Sequence, residues 1–132
     1  MILVDTSVLI ALLKNVKNKA TEKFEQVIKN KIPYGINFYI YQEILQGAKN
    51  EHEFKLLKEY LGSQKFYNLK NGQKSHEDAA KLYFICRKAG YTVKSTIDLL
   101  IVQTAIENNL SLLHDDSDFI NIAKIIGELQ LF

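Results

Sequence analysis

The sequence has one cysteine, one proline, six glycines and no tryptophan, and each scarcity closes a class of explanation. A lone Cys86 leaves no disulfide within the chain and favours a cytoplasmic setting. Its place on the apolar side of a helical pattern makes it core packing. With so little proline and glycine, no linker, repeat or low-complexity tract divides the 132 residues, so one domain over 1–132 is expected. Charge of one sign is not in excess. A net +2 with 24% charged residues is neither the signature of disorder nor the basic coat of a passive nucleic-acid binder, so any nucleic-acid contact must be a local patch. No apolar run approaches the roughly 18 residues of a membrane-spanning helix, so no membrane partner is expected. The apolar opening from Ile2 to Leu13 is broken by Asp5, with no basic residue before it and no small-residue cleavage site after it, unlike a secretory leader. A glycine-rich phosphate loop, a nucleophile elbow and a cysteine pair are also missing, which removes P-loop hydrolases, serine hydrolases and thiol redox enzymes. His114 has no metal-ligand spacing to His52 or His76, so zinc is not expected.

What is present alternates between strand and helix. Ile2-Leu3-Val4 suits a strand buried on both faces, and Asp5-Thr6-Ser7 supplies residues that cap a helix running to about Leu13. A second helix is expected from about Asn18 to Asn30, then a short strand at Tyr34-Gly35-Ile36 and a helix from Phe38 to Ala48 capped by Asn37. Its stripe is Tyr41, Ile44, Leu45 and Ala48. Further helices run from about Glu51 to Leu61, and from Ser75, with Asp78 in the capping-box position and Ala79, Leu82, Tyr83, Cys86 and Ala89 buried, to Gly90. Another opens at Ser95 or Thr96, with Ile97, Leu100, Ile101, Thr104 and Ala105 on one side, and ends at Asn108-Asn109. Short strands are expected at Phe66–Leu69, Ser111–Leu113 and Leu129–Phe132, and a last helix from Phe119 to Ile125. This order predicts an α/β sandwich with a mostly parallel sheet, whose ligand crevice lies beyond the carboxyl ends of the strands at a topological switch point.

Carboxylates stand where packing alone does not want them: Asp5 after the first strand, Glu43 inside a helix, Asp98 at a helix start and Asp116 after a late strand. Brought together, their charges repel unless cations neutralise them, and Mg2+ or Mn2+ suits a hard oxygen donor set. One or two such ions would support hydrolysis of a phosphodiester. Each residue also has a plainer reading. Asp5 is a helix cap, Glu43 a solvated surface charge, and Asp98 completes a capping box with Ser95. Within Asp115, Asp116 and Asp118 at least one carboxylate is only a loop or helix-start charge. Gly47, one turn after Glu43, leaves a bare face that a ligand could approach. The aromatic group Tyr34, Phe38, Tyr39 and Tyr41 fits core and interface packing better than base stacking.

Val4-Asp5-Thr6-Ser7-Val8-Leu9-Ile10 resembles the opening motif of PIN domains, especially the VapC-type toxins. Glu43-Ile44-Leu45-Gln46-Gly47 resembles the second motif of that family, Thr96-Ile97-Asp98-Leu99-Leu100-Ile101 the third, and Leu112 to Phe119 the last. The resemblance spans nearly the whole chain and implies a PIN-like three-layer α/β/α sandwich. It also implies a metal-dependent endoribonuclease that cuts transfer or ribosomal RNA, forms a homodimer, and is silenced by an antitoxin whose tail covers the acidic cleft. Asp5, Glu43, Asp98 and Asp116 would then bind Mg2+ or Mn2+, with Thr6 or Ser7 orienting the first carboxylate or a water. The last motif departs from the family pattern, which often has Thr or Ser and then a basic or polar residue before the acidic one. His114 and Asp115 stand there, so Asp116 is the expected fourth ligand, with Asp115 and Asp118 as substitutes or helpers for a second ion. Lys14, Lys17, Lys49, Arg87, Lys88 and Lys94 are the candidate RNA-guiding cations. The rival functions are a PIN nuclease of RNA processing or DNA cleavage, a phosphate-accepting signalling or phosphatase domain, disfavoured by Ser7 where a second Asp belongs, and a non-catalytic binding module.

Overall fold

A computed structural model describes all residues from Met1 to Phe132. Its centre is β1 (Ile2–Val4), three apolar residues all buried, which is what a strand covered on both faces requires. On one side β1 pairs in parallel with β2 (Tyr34–Gly35), and on the other with β3 (Ser111–Leu113), which pairs in parallel with β4 (Gln130–Leu131). The four-stranded order is β2-β1-β3-β4, so the chain reverses its direction across the sheet between β1 and β3. That reversal opens a crevice at the carboxyl ends of these two strands.

Helices fill the connections and flank the sheet, as the α/β expectation required. Between β1 and β2 run α1 (Thr6–Leu13) and α2 (Lys19–Lys29). Between β2 and β3 come α3 (Phe38–Gln46), α4 (Glu51–Gly62), α5 (Gln73–Lys88) and α6 (Thr96–Glu107), and α7 (Ser117–Ile125) joins β3 to β4. Asparagines start three of them: the side chains of Asn18, Asn37 and Asn50 accept from Thr21, Ile40 and Glu53 backbone N–H groups. The core joins Leu3, Val4 and Leu112 of the sheet to Val8, Phe24, Ile40, Val102 and Phe119 of the helices.

Several elements differ from the sequence expectation, each through a long-range partner. Helix α5 begins at Gln73, with Gly72 at its N-cap in the left-handed region, φ 54°, and without a side-chain cap. Ser75 is fully buried, and its hydroxyl accepts from Asn71 N–H and donates to Glu107 at 3.0 Å, stitching α5 to α6. Asp78 pairs with Lys74 at 3.2 Å instead of closing a box, and Ala89 is an exposed C-cap rather than core. No strand forms over Phe66–Leu69 beyond a single bridge from Ile36 to Phe66. Asn68 C=O and Lys70 N–H are instead taken by Asn108 and Glu107, which draw the segment towards α6. Helix α6 has no single stripe: Leu99, Ile101, Val102, Gln103, Thr104 and Ala105 are all buried, because α3, α5 and β3 pack around it. Helix α3 stops at Gln46 with Gly47 as its C-cap, and a Cβ there would meet only the helix's own carbonyls. That glycine ends the helix, and nothing from another element stands against it. Helix α7 starts at Ser117, earlier than expected, because Asp116 caps it. No helix is long and apolar enough to cross a membrane.

Candidate active site

The register that pairs Val4 with Leu113 carries the chain out of β1 and β3 side by side, and Asp5 N–H bonds to Leu113 C=O at 2.9 Å. Asp5 caps a helix and lies within reach of the Asp116 charge at once, so its helix-cap reading leaves room for a site role. Its Oδ2 accepts from Ser7 N–H at 3.1 Å, capping α1, and from the Ser7 hydroxyl at 2.6 Å. The side chain is 5% exposed. Burial raises its pKa, the Ser7 bonds oppose that rise, and the charge of Asp116 adds to it.

The other positions close in from three directions. Glu43, midway along α3, is half-buried, and its Oε1 accepts from the Thr6 hydroxyl at 3.1 Å, which removes the simple solvated-surface reading. Burial pushes its pKa up, with Asp5 contributing. Asp98 lies in the first turn of α6, where Ser95 makes no side-chain cap bond, so no capping box explains it. Asp116 caps α7, its Oδ1 accepting from Asp118 N–H at 2.9 Å. Three helix starts therefore aim the positive ends of their dipoles at this acidic group.

Asp98, Asp116 and Asp118 each bring a carboxylate oxygen to within 4.8 Å of the others. Asp5 and Glu43 stand outside that tight trio but are felt by it. The Asp98 pKa is pushed up to about 7, first by burial and then by the charges of Asp5, Asp116, Glu43 and Asp118. The only salt bridge of the chain, Lys74–Asp78, lies on α5, so no cationic side chain balances the cluster. Lys14, Lys17, Lys49, Arg87, Lys88 and Lys94 are all exposed, and Arg87 and Lys88 lie over the Phe84 ring. A concentration of hard oxygen donors without an internal counter-charge fits Mg2+ or Mn2+ better than a soft or nitrogen-seeking metal. His114 offers no competing ligand at Nδ1, which accepts from Asp116 N–H at 3.2 Å, and burial lowers its pKa.

Asp115 is turned away. It is exposed, its Oδ2 accepts from Asn18 Nδ2 at 3.0 Å, and its N–H donates to Ser7 Oγ. The ambiguity of the acidic string thus narrows to Asp116 and Asp118. Tyr91, which the sequence did not single out, donates its hydroxyl to Asp118 Oδ1 at 2.7 Å. Burial raises its pKa, and the Asp118 bond adds to this, so it remains a donor. Its only sequence signal is its place just after Gly90, between the second and third acidic motifs.

Residues 2–125 match the sequence model of the PIN domain family. A VapC ribonuclease of Mycobacterium bovis and ribonuclease VapC11 of Mycobacterium tuberculosis are each 34% identical over 86 residues, 65% of this chain. The match spans 63% of the length of those relatives. Among solved structures, VapBC2 from Rickettsia felis bound to a DNA fragment from their promoter shares 20% identity at TM-score 0.76, over 100% of this chain and 98% of that one. FitAcB from Neisseria gonorrhoeae shares 17% at 0.74, over 100% and 96%. A toxin–antitoxin complex from Klebsiella pneumoniae shares 22% at 0.65, over 99% and 100%. At these identities the likeness to the solved structures is one of fold.

Proposed function

Because the chain belongs to the PIN-domain family, we propose that it is an endoribonuclease that hydrolyses RNA phosphodiester bonds with Mg2+ or Mn2+, and that it is the toxin of a toxin–antitoxin pair. The observation that carries this reading is the group of carboxylates at the switch point with no cationic side chain to balance it. The ribonuclease names of the mycobacterial relatives support the activity, and the toxin–antitoxin neighbours support the pairing. Asp5, Glu43, Asp98 and Asp116 are the proposed ligands of one or two ions, with Asp118 as their helper. Such ions, when bound, activate water and neutralise charge on the phosphate during in-line displacement.

The chain's own groups prepare that chemistry. Ser7 fixes the rotamer of Asp5, and Thr6 holds Glu43 beside it. Burial and the neighbouring carboxylates raise the Asp98 pKa to about 7, so a bound cation would favour its ionised, ligating form. Exposed lysines steer the polyanion towards a cleft that would otherwise repel it. The proposal extends to one PIN domain over 1–132, a homodimer, a cytoplasmic setting, transfer or ribosomal RNA as substrate, and an antitoxin that covers the cleft.

The test uses the purified chain free of any partner, incubated with total cellular RNA in Mg2+, Mn2+ or chelator, with sequencing of new ends. Discrete metal-dependent cuts that disappear in Asp98→Asn are expected. Absence of cuts from a folded, cation-binding protein would sink the ribonuclease reading.

A further inference from the structure

Where Asn37 turns the chain from β2 into α3 there is a second cavity, about 370 Å3 in volume, at the small end of the roughly 300–1,000 Å3 usual for ligand sites. Its wall includes Tyr67, only 7% exposed, whose hydroxyl is the one buried side-chain polar atom without a hydrogen-bond partner. A buried donor left unmade is costly. The ring is also held firmly: a Cβ on Gly35 would come within 2.8 Å of it. Phe38, also in the lining, is 58% exposed rather than packed in the core, and stands against Phe66 with ring centroids 5.0 Å apart. Gln42, Asn68 and His76 add donors and acceptors, and no Lys, Arg, Asp or Glu lines the space.

Cavity and carboxylates share two helices. Gln42 immediately precedes Glu43 on α3, and Thr104, in the cavity wall, follows Asp98 by six residues on α6. Six residues make about 9 Å of helical rise, a length that a nucleic-acid strand covers in a few nucleotides. A phosphate finds no cation in this lining. A base finds aromatic faces to stack on and neutral groups for its edge.

We propose that this cavity receives an unpaired base of the RNA whose backbone crosses the carboxylate cluster, an inference that rests on the ribonuclease reading for the identity of the strand. Phe38 supplies the exposed stacking face, and Gln42, Asn68 and His76 read the base edge. The site sets which nucleotide lies next to the bond that is cut.

The test needs neither metal nor cleavage. Adenosine, guanosine, cytidine and uridine are titrated into the metal-free chain and followed by amide NMR, with ribose 5-phosphate as the control for phosphate and sugar. At least one nucleoside is expected to give saturating shifts at Gln42, Asn68, Gly72 and His76, and ribose 5-phosphate none. Phe38→Ala and Asn68→Ala should each weaken that binding roughly fivefold or more, with the remaining spectrum unchanged. On cleaved RNA, Phe38→Ala should raise KM and spare kcat. Nucleosides that leave these resonances unmoved, or ribose 5-phosphate that moves them equally, would overturn the base site and leave the cavity to a protein partner's side chain. Nucleoside binding without RNA cleavage would keep the cavity as a base site while removing the ribonuclease.

Discussion

At the end of β1 the chain turns into a helix on Asp5, and at the end of β3, one strand over, it turns into a helix on Asp116. Both aspartates cap by accepting from the N–H two residues on. Their surroundings differ. Asp5 is buried, and the Ser7 hydroxyl fixes the oxygen that caps the helix. The Asp116 turn is half-exposed, carries a second carboxylate in Asp118, and borrows its anchor from Tyr91, far along the chain. The same capping bond thus stands in a buried, locally fixed turn in one place and beside a second, distantly anchored carboxylate in the other.

That contrast is open to direct challenge. Asp5→Asn is expected to lower single-turnover cleavage about a hundredfold or more, with no recovery in excess Mn2+. Asp118→Asn should lose less and recover as Mn2+ rises, and equal rescue of the two variants would erase the distinction. Next in size is the effect of the anchors: Ser7→Ala should weaken Mn2+ binding by roughly 10–100-fold, and Tyr91→Phe by less, read from thermal shift against Mn2+ concentration. A larger loss in Tyr91→Phe would reverse the ranking.

The pH behaviour of the metal-free protein sharpens the comparison from the side of the charges between the two turns. The folded Asp98 pKa, about 7, lies above its ordinary 3.8. The folded state therefore holds a proton that the unfolded state has released, and stability falls as pH rises between those values. Asp5 and Glu43, also raised, act in the same direction. Melting temperature is expected to drop across this window, less so in Asp98→Asn, and Mn2+ should restore it at neutral pH. A flat profile would mean that neither burial nor the neighbouring charges raise Asp98. The smallest effect is expected for Asp115→Asn, exposed and tied only to Asn18 and Ser7. Its stability in urea should change by no more than about 0.5 kcal/mol, with cleavage retained.

The first turn was legible in the sequence and the second was not, for a physical reason. An ionised residue directly after a buried apolar triplet, followed by a hydroxyl, specifies its own cap and rotamer within three residues. Asp115, Asp116 and Asp118 differ only in which distant groups meet them: Asn18 takes the first, and Tyr91 the last. No spacing within the string encodes that. The fold divides in the same way. β1, the Asn37 cap and the start of α6 follow from neighbouring residues, whereas the expected Ser75 cap and the Phe66–Leu69 strand give way to Glu107 and Asn108, which approach from another helix. Phe38, assigned to packing by its aromatic neighbours, stands 58% exposed because Phe66 covers only part of it.

The bond between Asp5 N–H and Leu113 C=O joins positions that lie far apart along the chain. Pairing of β1 with β3 is therefore a late event in synthesis, since β3 is made only after six of the helices. Until then Asp5 has no neighbour in Asp116, and β1 lacks one of its two parallel partners. A ribosome making this protein holds an unfinished chain without a complete acidic cluster. The three carboxylates that stand closest together first coexist only once Asp118 has emerged, near the end of synthesis.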